Sequence, residues 1–145
     1  MIKLVSNSTS QTEEIAEKLG RSLKSSVVIA YFGGLAMGKT AFTRGLARGM
    51  GLDDDVSSPT FAIVNDYGGK LAHFDMYRVE TFEDLHTSGF FDYLDMGYVL
   101  AVEWSENIEN ALDDDIIRIT FERTEENENQ RIITIEGYDN ENFSD

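Results

Sequence analysis

The chain has 145 residues, 41% of them hydrophobic, which fits one domain with one substantial core. Its 27 acidic and 12 basic side chains give a formal net charge of −15, so most of its surface repels nucleic acid, and the absence of cysteine excludes disulfides, a thiolate nucleophile and cysteine-based zinc sites. No apolar h-region opens the chain and no apolar run approaches membrane-spanning length, so the expectation is a soluble cytoplasmic protein with no membrane partner.

Along the chain, SNSTSQTEEIAEKLGRSLK reads as a capped helix. Ser10 and Glu13 have capping-box spacing, and Ile15, Leu19 and Leu23 recur at the helical period. SVVIAYF (26–32) is a continuous apolar, β-branched run, the pattern of a buried strand. A glycine-rich turn follows. KTAFTRGLARGM then sets Phe42, Leu46 and Met50 on one helical face, with Arg44 and Arg48 among the polar positions. DDDVSSPT is a polar loop with the single proline, Pro59. FAIVNDY and KLAHFDMY read as two strands of a hairpin joined at Gly68-Gly69. ETFEDLHTSGFFDYLDMG predicts short helical turns, and YVLAVEW (98–104) a second buried strand. IIRITFE and RIITIEG close the chain as a hairpin around TEENENQ. The pattern predicts an α/β fold with a mixed sheet flanked by helices, one domain over 1–137 and an acidic tail over 138–145.

The stretch from Gly33 to Thr40 reads G-x-x-x-x-G-K-T, and it lies between a predicted strand and a predicted helix. This is the context in which the pattern forms a phosphate-cradling P-loop. Gly33 allows the sharp turn, and Gly38 lets the backbone approach phosphate without a Cβ in the way. The run Leu35, Ala36, Met37, Gly38, Lys39 and Thr40, with Ala41 behind it in the first helical turn, supplies inward N–H groups at a positive helix terminus. Lys39 reaches the β- and γ-phosphates, and the Thr40 hydroxyl ligates Mg²⁺.

Such a site also needs an acid at the end of a neighbouring buried strand. Glu103 ends the uninterrupted run YVLAVE and is the favoured metal-side carboxylate. Asp75 ends LAHFD, which alternates more and looks less buried, so it is expected near the γ-phosphate or attacking water. SSPTF either forms a γ-phosphate-sensing switch, with Thr60 meeting the metal or water, or is an ordinary turn with an extended residue before Pro59. His73 and His86 do not make a metal pair; His73 reads as a hydrogen-bonded strand residue and Trp104 as core. Arg78 serves phosphate, a partner or merely the surface. The runner-up functions are a nucleotide-gated binding module and a small P-loop kinase. No N-K-x-D guanine-reading motif is present.

Together, GGLAMGKTAFTRGLARGMG, VSSPTFAIVNDY, HFDMYR and VEW resemble the TsaE family, formerly called YjeE. The resemblance covers roughly residues 10 to 137. It implies a small bacterial P-loop ATPase with ATP and Mg²⁺, required for N6-threonylcarbamoyladenosine in tRNA. It also implies partnership with the TsaD–TsaB pair, reaching tRNA only through those partners. Carried over by motif, Lys39 and Thr40 match the phosphate and Mg²⁺ residues, and Glu103 the second metal-side residue. Asp75 matches the other functional acid, and Thr60 the switch-like segment. Thr12 and Arg131 fall where the family contacts base or ribose. Ala36 departs from the family's usual third glycine, and Ala41 from its second hydroxyl residue.

Overall fold

The computed structural model describes residues 1–23, 26–33, 38–52, 64–112 and 115–138. The apolar run at 26–32 becomes β2 (Val27–Gly33), the middle of a seven-stranded mixed sheet. β2 pairs in parallel with β5 (Val99–Glu103) on one side and β6 (Ile117–Arg123) on the other, and β5 pairs in parallel with β4 (Leu71–Asp75). Parallel strands lie buried on both faces, which is why β2 and β5 read as continuous apolar runs. β3 (Val64–Tyr67) and β7 (Arg131–Glu136) add antiparallel partners, and β1 (Ile2–Ser6) pairs with β7 at the far edge, giving the order β1-β7-β6-β2-β5-β4-β3.

One face of the sheet carries α1 (Thr9–Ser22) and α2 (Lys39–Gly49), over a core that includes Ile29, Tyr31, Phe42, Leu46, Ala101 and Phe121. Tyr31, Phe42 and Phe121 meet edge-to-face at 5.6–5.8 Å. The other face carries α3 (Phe82–Thr87), α4 (Phe90–Asp95) and a 3₁₀ segment, Ser105–Ala111, over Phe74, Met76, Leu100 and Val102. The helices α1 and α2 approach so closely that a Cβ on Gly45 would lie 2.2 Å from the Glu13 carbonyl oxygen. That packing fixes the N-termini of both helices at the same end of the sheet.

Both expected hairpins form, β3–β4 and β6–β7. Gly68 and Gly69 both hold the left-handed conformation (φ 62° and 70°), which suits a tight hairpin turn. The short helices at 82–95 also match the sequence pattern. Two expectations need correction, and one strand was not anticipated. The first helix is capped by Ser8, whose Oγ accepts from Gln11 N–H at 3.1 Å, and not by Ser10, because β1 ends at Ser6 and the chain turns helical at Thr9. β4 is as buried as β5, since β3 and β5 flank it and both of its faces are covered. β1 itself is a five-residue edge strand whose short alternation gave no distinct signal. SSPTF, the acidic run 53–55 and the tail beyond Tyr138 lie outside the described residues.

Candidate functional site

At its end, β2 turns at Gly33, with φ 124°, and a Cβ there would stand 2.5 Å from the Phe121 carbonyl oxygen. Only glycine fits both conditions. Gly38, at φ 101°, is the N-cap of α2. Lys39 follows as the first helical residue, with its side chain turned back: it is 5% exposed, and Nζ donates to the Gly33 carbonyl at 3.2 Å. The lysine thus spans the loop's two ends. Thr40 sits in the first helical turn, and among the described residues its hydroxyl makes no hydrogen bond. Beneath, Tyr31 OH and Thr43 Oγ1 lie 2.7 Å apart, and Thr43 donates to the Lys39 carbonyl at 2.9 Å, pinning the helix start to the strand. Burial pushes the Tyr31 phenol well up, so it stays neutral.

The two acids arrive by register. Asp75 and Glu103 are direct partners across parallel β4 and β5, on the face that α2 covers. Glu103 is followed by Trp104 in the left-handed conformation (φ 59°, ψ 40°), an uncommon geometry for a bulky residue, which turns the chain into the 3₁₀ segment. The Trp104 ring is not simply core. It stacks edge-on against exposed Tyr77 at 5.0 Å, and Lys39 Nζ lies 5.8 Å from its centroid. Two links hold the β4 and β5 ends together: Met76 N–H donates to the Glu103 carbonyl at 3.0 Å, and Asn107 Nδ2 donates to the Met76 carbonyl at 2.8 Å.

Desolvation raises the Asp75 carboxyl above its usual range, and the nearby Glu103 adds to this. A hydrogen bond from Tyr77 N–H at 2.9 Å, His73 and Lys39 pull the other way. The folded state therefore binds this proton more tightly than the unfolded chain. Asp75's contribution to stability is greatest below the ordinary carboxylate pKa and falls as pH rises through the raised folded value. Asp75→Asn, which keeps an acceptor for Tyr77, is expected to raise Tm at pH 7–8. That gain should shrink to nothing as pH falls below about 4. Thermal melts across pH 3.5–8 check this; a lower Tm at neutral pH contradicts it.

His73, expected as a strand residue, is fully buried, and its Nε2 lies 2.6 Å from Glu103 Oε2. The approach is off the N–H axis, so neither ring nitrogen nor Glu103 Oε2 has a directed hydrogen-bond partner among the described residues. The available signal was period two: His73 lies two residues before Asp75, on the same face of β4.

A cleft of about 340 Å³ opens at the start of α2, lined by Asn7, Ser8, Thr12, Gly38, Ala41 and Arg131 among others. Thr12 and Arg131, 119 positions apart, thus share one cavity with Gly38 and Ala41. Thr12 is buried with its hydroxyl 2.7 Å from Ser6 Oγ, so it shapes the wall. Arg131 Nη1 donates to the Gln130 carbonyl at 3.0 Å and to the Glu128 carbonyl. Leu35, Ala36, Met37 and Thr60 lie outside the described residues, and the φ of Ala36 with them.

The Glu103 carboxylate at the end of β5 and the Thr40 hydroxyl in the first turn of α2 are hard oxygen donors of the kind that Mg²⁺ takes. Among the described residues no cluster of three histidines and acids could hold a metal alone, so the protein would supply only part of the ligand set. No helix among the described residues is long and apolar enough to cross a membrane.

A parallel-centred sheet whose middle strand ends in glycine, feeds a helix begun by lysine and threonine, and has acids at the neighbouring strand ends defines an α/β protein with its site at the carboxyl ends of its strands. Within that class the chain belongs to the TsaE family: the model for the threonylcarbamoyl adenosine biosynthesis protein TsaE matches residues 6–133. The tRNA threonylcarbamoyladenosine biosynthesis protein TsaE of Bacillus subtilis is 35% identical over 130 residues, covering 88% of this chain and 81% of that protein. Its counterpart in Treponema pallidum is 33% identical over 122 residues, covering 83% and 90%. The crystal structure of Bacillus subtilis YdiB superimposes with a TM-score of 0.72 at 29% identity, over 92% of this chain and 83% of that one.

Proposed function

We propose that the protein is a Mg²⁺-dependent ATPase of tRNA threonylcarbamoyladenosine synthesis, acting in the cytoplasm and hydrolysing ATP to support turnover of the TsaD–TsaB threonylcarbamoyl-transfer complex. The observation that carries this reading is the convergence of Lys39, Asp75 and Glu103 at one end of the parallel strands, beside a glycine-bounded loop. Family membership supports the pathway.

The chain's own residues divide the work. Loop N–H groups and Lys39 hold the β- and γ-phosphates and neutralise charge as it develops there. The cleft between Thr12 and Arg131 takes the nucleoside. Thr40 and Glu103 would hold Mg²⁺, whose chemistry there would be that of a Lewis acid offsetting phosphate charge. Asp75, in a partly desolvated position that raises its proton affinity, orients the attacking water, with Thr60 as the second candidate for that task. The net charge of −15 suits a component that meets tRNA through its partners rather than directly.

ATP hydrolysis measured with and without a TsaD–TsaB pair from the same source tests the proposal. A low rate alone and at least about a tenfold rise with the pair is expected, since partner-supplied charge stabilisation raises such rates by larger factors in other nucleotide hydrolases. An unchanged rate sinks the coupled reading. Phosphate transfer to a metabolite instead of water would mean a kinase.

A further inference from the structure

The buried imidazole of His73 is unused in the scheme above. A histidine kept in a core for packing alone normally directs hydrogen bonds from its ring nitrogens to fixed partners. Here the side chain is 0% exposed and both ring nitrogens lack a directed partner among the described residues. The polar atom it does approach is Glu103 Oε2, at 2.6 Å.

The contact follows from sheet register. Parallel pairing sets His73 opposite Ala101 and Asp75 opposite Glu103, so His73 and Glu103 are diagonal neighbours on the face beneath α2. Diagonal neighbours lie within reach of long side chains, and Ala101 leaves room for the imidazole. Two buried polar atoms this close are favourable only if they share a proton, and a small ring tilt brings the N–H onto the carboxylate.

Resting on the nucleotide and Mg²⁺ reading, we propose that His73 is a positioning residue for Glu103: its Nε2–H holds Oε2 and leaves the other carboxylate oxygen for the metal. Carboxylates that ligate metals are themselves held by hydrogen bonds, and removing the holder typically weakens metal binding by 10–100-fold.

The test compares His73→Leu and His73→Gln with wild type in two titrations: ATP with EDTA present, and Mn²⁺ into the ATP-bound protein, read by electron paramagnetic resonance. His73→Leu, which keeps bulk and loses the donor, is expected to raise the half-saturating Mn²⁺ concentration about tenfold. Its metal-free ATP affinity should stay within about twofold, and His73→Gln, which restores an N–H near the Nε2 position, should recover most of the loss. Unchanged Mn²⁺ dependence in His73→Leu overturns the proposal, as does an equal fall in both titrations, which marks a merely structural role. Glu103→Gln is the control: if it keeps wild-type Mn²⁺ dependence, the fault lies in the Glu103 assignment beneath the proposal. A wild-type protein that binds no ATP overturns the whole functional reading. Should His73→Leu fail to fold, the ¹⁵N spectrum of wild-type His73 decides instead: the Nε2–H tautomer is expected, and the Nδ1–H tautomer overturns the proposal.

Discussion

Lys39→Ala should abolish useful ATP binding while leaving the protein folded. Lys39 is the described cation nearest the turn, reaching across it to the Gly33 carbonyl at 3.2 Å. A hydrogen bond from a charged group to phosphate contributes about 1.5–3 kcal/mol, and this lysine is assigned two phosphates. Losing both costs roughly 3–6 kcal/mol, which is about a hundredfold to ten-thousandfold in Kd. Folding is affected far less. The lysine is almost wholly buried, and removing a buried ammonium offsets the loss of its one bond to Gly33. Apo Tm should therefore hold or rise slightly, separating a binding defect from unfolding. The measurement is convenient because Trp104, the only tryptophan, sits 5.8 Å from Lys39 Nζ and its fluorescence should report occupancy. Wild-type ATP affinity in this variant would contradict the assignment of Lys39.

How far the sequence alone reaches is clear from particular residues. Gly33, Gly38, Lys39 and Thr40 are legible because a phosphate loop is local: spacing, a preceding apolar run and a following helical face are enough. Glu103 is legible for a related reason, since a strand buried on both faces is continuously apolar and its first charge marks the strand end. Asp75 was harder. His73 breaks the apolar run of β4 and mimics the alternation of a half-exposed strand, although the four residues Leu71–Phe74 are all buried. The polar residue that disguised the strand is the one set against Glu103. That contact depends on the β4–β5 register, which no single segment encodes. Residue type alone suggests core for Trp104; its left-handed backbone is imposed by the turn from β5 into the 3₁₀ segment. Thr12 and Arg131 meet only because β1 and β7 pair and α1 starts where β1 ends, so resemblance could point to them while spacing could not.

Glu103→Gln should have the largest effect on turnover and a small one on metal-free ATP binding. The substitution keeps shape and removes one negative charge beside the phosphates. Lys39 and the loop amides still hold the nucleotide, so ATP affinity in EDTA should stay within about threefold, or tighten, because a repulsive charge has gone. Hydrolysis should fall by about 10²–10³, the scale seen when one preorganised electrostatic partner is lost from an active site. A second consequence follows from the register. Asp75 and Glu103 face each other across β4 and β5, and Glu103 is one of the groups holding the Asp75 proton affinity up. With Gln at 103 the Asp75 midpoint should move down toward the ordinary range, though not fully, because desolvation is the larger cause. Carboxyl ¹³C chemical shifts followed against pH in wild type and variant read this directly. The two measurements are independent. Loss of hydrolysis without a downward move of Asp75 would mean that Glu103 acts on the metal but does not face Asp75. A downward move with hydrolysis intact would leave the sheet register correct and remove Glu103 from the chemistry.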